Sequence, residues 1–433
     1  MDKLTVIGGG LAGCEAAWQA ARYGIEILLF EMRPERLTEA HKTGLLGELV
    51  CSNSLRSADI MNAPGLLKKE LQMADSLIMQ AAVASRVPAG SAFAVDRTRF
   101  AGFITDAVSK NPNIKVIREE ARKIPDSYTI IATGPLTSRP MTEALAGLIG
   151  QEYLYFYDAI APILDAGSIE YEKVFRASRY GKGGDDYINC PMTKEEYSAF
   201  YNALIEADKV APRQFEDEKV FEGCMPVEVM ALRGRDTLRF GPMKPVGLPD
   251  PRTGVEPYAV VQLRPENIEK SAYNIVGFQT RLKWPEQKRV FSMIPGLGNA
   301  EFMRYGSLHR NTFINSPLSL NRDLSLKPMG HVYMAGQITG VEGYIESTAM
   351  GLVAGINAAR RIKGLEAVGP PETTAHGALI SHITAPKKDF QPSNINFGLF
   401  PEVADVRDKK KKRGIIVERA LNDWQGYIRG VRQ

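Results

Sequence analysis

Apolar and polar positions along the first 31 residues fall into three blocks with different periods. Leu4–Ile7 is a short apolar run of strand length. From Leu11 to Tyr23 helix formers dominate, with small residues where a helix must lie close to a sheet. Glu26–Glu31 (EILLFE) reads as a second strand. The same alternation continues with helical spacing over Arg99–Val108, a short strand at Lys115–Ile117 and a buried strand at Tyr128–Ala132. Strand and helix in this order predict a parallel sheet covered by helices on both faces. From about 150 to 300 the pattern changes. Aromatics cluster at 153–158 (YLYFYD), proline and glycine recur, and alternating strands such as Tyr258–Arg264 and Ala272–Gln279 appear. The first pattern then returns, with a strand at Val332–Ala335, a glycine-rich loop at Gly336–Gly343 and a long helix over Glu346–Ile362.

This order predicts one α/β domain interrupted by an insertion. The expected boundaries are 1–149 for its first part and 150–300 for a mixed α/β insertion, which is free to pass back through the first domain near 205–235. The second part is 301–433, ending in a basic segment. At 433 residues the chain exceeds what one core usually supports, in keeping with two units.

The turn between the first strand and helix carries chemistry. Gly8-Gly9-Gly10-Leu11-Ala12-Gly13 is a GxGxxG motif directly after a strand and opening a helix. Its first glycine permits the tight turn, Gly10 lets backbone approach a pyrophosphate, and Gly13 lets helix and strand pack closely. The phosphates would lie at the positive end of the helix dipole. Glu31, closing the second strand, can accept hydrogen bonds from adenosine ribose hydroxyls and repels a 2′-phosphate. Two later segments favour FAD over NAD: the strand and turn Thr129–Gly134, and Val332–Gln337 followed by Gly340, Gly343 and Gly351. The fold class expected is therefore a Rossmann-like FAD-binding domain of the two-dinucleotide-fold flavoprotein type. Gly336 and Gln337 would meet the ribityl side of the flavin, Gln337 standing where aspartate is common. Gly296-Leu297-Gly298-Asn299 lacks a third glycine and reads as a turn, so no second dinucleotide site is expected.

Charge and cysteine usage narrow the setting. Net charge is +4, with a compact basic run at Lys409–Arg413, either a solvated helix face or a phosphate contact. Four cysteines without a CxxC pair argue against a disulfide framework and point to a reducing, cytoplasmic setting. No stretch has the length of a membrane span. No His/Asp/Glu cluster has metal-ligand spacing, and no metal is expected. Cys14 and Cys190 read as inert buried thiols. Cys51 (GELVCSNSLRS) and Cys224 (FEGCMPVEVMA) stand in loop-like segments, Cys224 near Arg233 and Arg235, where a thiolate would be favoured. His309 by itself reads as an ordinary structural histidine.

Taken together, GGGLAGCEAA, GELVCSNSLRS, FEGCMPVEVMA, DTLRFGPMKPVGLPDPRTG, RNTFINSP and GQITGVEGYIESTAMGLVAGINAA resemble the bacterial methylenetetrahydrofolate–tRNA (uracil-5-) methyltransferase family over nearly the whole chain. The resemblance implies C5-methylation of the T-loop uridine of tRNA. Methylene would come from 5,10-methylenetetrahydrofolate and hydride from reduced FAD regenerated by NAD(P)H. A cysteine thiolate adds to uracil C6, making C5 nucleophilic, and a base later removes the C5 proton. Cys51 and Cys224 would share these roles, with Cys224 read as nucleophile, Cys51 as proton acceptor, and the reverse assignment open. His309 would stack on the folate pterin. Partners would be folate and the tRNA T arm, with no membrane and no obligate protein partner. Two other readings stand beside it: a generic FAD-dependent NAD(P)H oxidoreductase, and the larger wobble-uridine tRNA-modifying flavoprotein, which has a further helical domain.

Overall fold

The computed structural model describes residues 3–150, 154–210, 225–387, 390–403, 406 and 408–433. Cys224 lies outside the described residues.

Strand β1 (Lys3–Ile7), helix α1 (Leu11–Ala21) and strand β2 (Glu26–Phe30) form where the periodicity places them. β1 is central to a six-stranded sheet, flanked by β2 and by Thr129–Ile131. Ile114–Ile117 extends the β2 side, and Met329–Met334 then Ser325–Leu326 extend the other. All pairs are parallel except that last, outermost one. Strands contributed from before 132 and after 325 thus share one sheet, as expected for an interrupted domain.

Against this sheet α1 packs on helix α2 (Tyr344–Ile362), and the contact is made of small residues. A Cβ on Gly351 would stand 2.2 Å from the Ala12 carbonyl oxygen, and one on Gly355 2.4 Å from that of Ala16. Backbone-to-backbone approach this close is open only to glycine. The C-terminal helix α3 (Lys409–Arg432) then closes over the same unit. Tyr23 at the end of α1 donates its hydroxyl to the Val431 carbonyl oxygen at 2.7 Å, 408 residues later in the chain. Trp424 is fully buried, its indole N–H donating to Glu70 and its ring stacked on His376 at 4.0 Å.

A second six-stranded sheet, antiparallel throughout, is built from 163–304. Ala259–Pro265 and Ala272–Ile275 lie near its centre and carry Val261, Leu263, Tyr273 and Ile275 into a separate apolar core. Ser307–Phe313 pairs antiparallel with Leu154–Ile160 as a separate two-stranded ribbon. A small three-stranded sheet (Ser54–Ser57, Arg86–Val87, Ala92–Val95) escaped the sequence pattern, its strands being too short for an alternation to show.

Candidate functional site

Two adjoining cavities lie at the carboxyl ends of the parallel strands. The first, of about 1040 Å³, is lined by Gly8, Gly10, Leu11, Ala12, Glu31, Thr133, Gly134, Gly336 and Gln337 among others. The glycines of its turn divide the work. Gly8 has φ +109° and its Cβ would meet the Ala132 carbonyl at 2.4 Å; Gly13 would place a Cβ 1.8 Å from the Gly8 carbonyl oxygen. Gly10 faces open space, with nothing within 4 Å, which is the room a pyrophosphate needs. The first turn of α1 has no side-chain cap, and neither does that of α2, whose Tyr344 and Ser347 line the same cavity. Two helix N-termini therefore offer unsatisfied N–H groups and positive dipole ends to an anionic ligand. A dinucleotide fits this cradle by shape and by charge. Gly336, with φ +84°, packs its Cα side against Ala12, and its Cβ would meet that residue at 2.9 Å.

Glu31 is more occupied than its position in the motif suggests. Oε2 accepts from the Gly9 N–H at 2.9 Å and Arg33 Nη2 at 3.0 Å, while Oε1 accepts from Arg33 N and Nε. Arg33 is only 2% exposed and also reaches Glu48 at 3.1 Å. Burial works to raise the Glu31 carboxyl, but the Arg33 guanidinium and the two backbone N–H groups outweigh it and hold the carboxyl below its ordinary value. A ribose hydroxyl here would share an ionised, already oriented carboxylate. Sequence reading missed Arg33, because an arginine two residues past a strand looks like ordinary surface. Gln337 donates Nε2 to Glu342 at 2.6 Å, which leaves its amide oxygen as acceptor.

The second cavity, about 1000 Å³, opens from the first across Val50, Pro135, Leu136, Gln337 and Tyr344, which line both. Cys51 lies in its wall, half-buried and free of any disulfide. Its main chain is anchored from two sides. Cys51 N and Ser52 N donate to the Tyr344 hydroxyl at 2.8 and 3.1 Å, and Arg97 donates to the carbonyls of Leu49 and Cys51. Arg97 is itself paired with Glu266, at the end of the second sheet's central strand. Next door, Asn53 donates to Pro265 O and accepts from Arg264, whose other nitrogen donates to Ser52 Oγ. The cysteine loop is thus pinned between the two sheets. Burial and the neighbouring Cys51 both push the Tyr344 phenol well up, so it stays a neutral acceptor for the loop's N–H groups.

Glu346 forms part of the floor of this cavity and is fully buried. One oxygen accepts from Arg56 and Ile395 N; the other, Oε2, has no hydrogen-bond partner among the described residues. Lys68 lies buried behind it, donating to Leu55 O at 2.8 Å, and burial pushes its ammonium down to about 7 against the pull of Glu346. A lysine depressed this far takes up its proton less readily folded than unfolded, so folding stability should climb as pH rises from about 7 toward 10. We expect that climb, up to about 1.4 kcal/mol per pH unit, in wild-type urea titrations and not in Lys68→Met. Parallel pH profiles for the two proteins would show that Lys68 is not depressed.

His309 falls on the strand Ser307–Phe313, in register with Asp158. Cys14 and Cys190 are fully buried, and burial pushes both thiols far up, consistent with inert roles. Lys409–Arg413 forms the first turn of α3, capped by Asp408, with Lys409, Lys410, Lys411 and Arg413 exposed. Gly296–Asn299 is a turn with Gly296 at φ +87°, as expected. Among the described residues no group of three or more His, Cys, Asp or Glu is placed to hold a metal ion, and no helix is long and apolar enough to cross a membrane.

Comparison with known proteins places the chain. The model of the family "Glucose inhibited division protein A" matches residues 3–366. The methylenetetrahydrofolate–tRNA-(uracil-5-)-methyltransferase TrmFO of Moorella thermoacetica is 59% identical over 426 residues, covering 98% of both chains. Its namesake in Geotalea uraniireducens is 58% identical over 433 residues, covering 99% of each. Among solved structures, Aquifex aeolicus GidA superposes with a TM-score of 0.73 at 17% identity, over 99% of this chain and 74% of that one, and so shares the fold. With identity this high along its full length, the chain belongs to the methylenetetrahydrofolate–tRNA-(uracil-5-)-methyltransferase TrmFO family, within the broader glucose inhibited division protein A family.

Proposed function

We propose that this protein methylates C5 of the T-loop uridine of tRNA, taking the carbon from 5,10-methylenetetrahydrofolate and depending on FAD reduced by NAD(P)H. The reading is carried by one observation: the cavity holding Cys51 opens directly from the cradle built for a dinucleotide, across five shared residues. A reactive thiol and a redox cofactor then serve one substrate pocket. Bound FAD would supply the hydride that converts the transferred one-carbon unit to methyl.

The protein's own groups do the rest. The GxGxxG turn and the N-termini of α1 and α2 would hold the pyrophosphate, and Glu31, oriented by Arg33, would receive the adenosine ribose. Gln337 Oε1 would accept on the flavin side. A thiolate adds at uracil C6 and leaves after a base takes the C5 proton. Cys51 is the proton acceptor and Cys224 the nucleophile in this assignment, and His309 stacks on the pterin. The Lys409–Arg413 turn meets phosphates of the tRNA, whose target base has to leave its stack to reach the thiol.

The test is direct. Flavin-loaded protein incubated with unmodified tRNA, methylenetetrahydrofolate and NAD(P)H should yield 5-methyluridine on nucleoside digestion, with the label of [methylene-¹⁴C]folate in the base. Flavin oxidation that proceeds without folate or tRNA, leaving uridine intact, would instead support a generic oxidoreductase.

A further inference from the structure

Trp284 begins the helix Trp284–Phe291 of the second unit and is 64% exposed, although it is the largest side chain type. It belongs to neither apolar core. Its ring is nevertheless ordered by stacking. Trp284 lies on Tyr305 with centroids 5.4 Å apart and planes 13° from parallel, and Tyr305 lies on Phe302 at 4.9 Å and 6°. Phe302 packs against the second core. Three near-parallel rings therefore run outward from that core, and the ring at the solvent end has a face to offer. Aromatic pairs stack for modest gain, and a column left open leaves apolar area in water that a planar partner would cover.

The surroundings say what kind of planar partner. Residues 281–289 (RLKWPEQKR) carry four cations and one carboxylate. Lys283 is paired with Asp208 and Arg289 with Glu286. Lys288 is exposed and stands four residues after Trp284, on the same helix face. A flat ring beside a cation matches a nucleobase joined to its phosphate, the pairing that single-stranded nucleic-acid sites use. Arg304, between Phe302 and Tyr305 in the chain, lies within electrostatic reach of Cys51 and Arg97. Gly306, next after Tyr305, exchanges hydrogen bonds with Gln287 of the Trp284 helix.

We propose that Trp284 is a stacking platform for an unpaired base of the tRNA substrate, with Lys288 on the adjoining phosphate. The proposal rests on the tRNA-methylating function given above and adds to it a recognition residue outside the cysteine and cofactor pockets.

Binding of an unmodified tRNA transcript to the flavin-loaded protein tests it. Trp284→Ala should raise Kd roughly 5- to 150-fold, the range seen for loss of one base–aromatic stack, with flavin content and melting temperature unchanged. Trp284→Phe keeps a stacking face and should retain most of the affinity. Lys288→Ala should reduce the slope of log K against log salt by about 0.7–0.9, one phosphate contact fewer. Trp424 is fully buried and Trp18 half-buried, so tRNA should quench chiefly Trp284 fluorescence, and that quenching should vanish in Trp284→Phe. Wild-type affinity in a folded Trp284→Ala protein overturns the platform alone. Wild-type protein that neither binds nor methylates tRNA overturns the functional reading beneath it.

Discussion

Cys51→Ala protein should fold, stay yellow and make almost no 5-methyluridine, a loss of roughly 10²–10⁴-fold if the thiol removes the C5 proton. The separation of chemistry from structure follows from how the loop is held. Every anchor of this segment is a main-chain group or another side chain: Cys51 N on Tyr344, Cys51 O under Arg97, Asn53 between Pro265 and Arg264. Removing one half-buried sulfur disturbs none of them. Flavin absorbance, melting temperature and digested-nucleoside analysis on one preparation give the three readouts. Methylation at the wild-type rate in Cys51→Ala would exclude this residue from the mechanism. A 5-fluorouridine tRNA trapped covalently by Cys51→Ala and not by Cys224→Ala would assign the C6 addition to Cys224.

The second large effect is expected far from any reacting atom. In Gly351→Ala the new methyl would stand 2.2 Å from the Ala12 carbonyl oxygen and 2.8 Å from Ala12 Cα. Backbone cannot swing aside as a side-chain tip can, so α1 and α2 must separate. Overpacking of this kind typically costs about 1–3 kcal/mol and occasionally more. Here it also moves Ala12 and Leu11, which line the dinucleotide cradle, and so FAD should be lost on gel filtration. Gly102→Ala is the matched control. It lies within the helix Arg97–Lys110 with nothing within 4 Å of its Cβ, and should be neutral or more stable by about 0.5–1 kcal/mol. Retained flavin and an unchanged melting point in Gly351→Ala would show that the helices can part at little cost.

How much of this could be seen in the chain beforehand depends on the range of the interactions. β1, α1 and β2 are local, strongly periodic elements punctuated by glycines whose backbone freedom the turn requires, and their limits shifted by a residue or two at most. The return of the pattern near residue 330 was equally legible, because a parallel strand buried on both faces is a continuous apolar run. What stayed hidden acts between distant segments. Arg264 and Asn53 are 211 residues apart and Arg97 and Glu266 169 apart, and nothing in either neighbourhood marks them as partners. Nothing in the segment GQITGVEGYIESTAMG marks a role for Tyr344, since its hydroxyl accepts the N–H groups of a loop some 290 residues earlier. Glu346 and Lys68 look like ordinary helix-surface charges until burial is known. Trp284 shows the converse: its exposure contradicts its apolarity, and only the stack with Tyr305 gives that contradiction a meaning.

The glycine contact between α1 and α2 has a consequence for how the protein is made. The nucleotide turn and its helix are made early, but the glycine-lined partner of that helix follows only when Gly351 and Gly355 have been synthesised, about 340 residues and roughly 17–70 s later at ordinary elongation rates. Throughout that interval the N-terminal βαβ unit carries an uncovered face, and the seal by Tyr23 on Val431 forms later still. Flavin capture is therefore a late event in biogenesis. Nascent chains stalled before α2 should be unable to retain the cofactor even though they already contain every residue of its glycine motif.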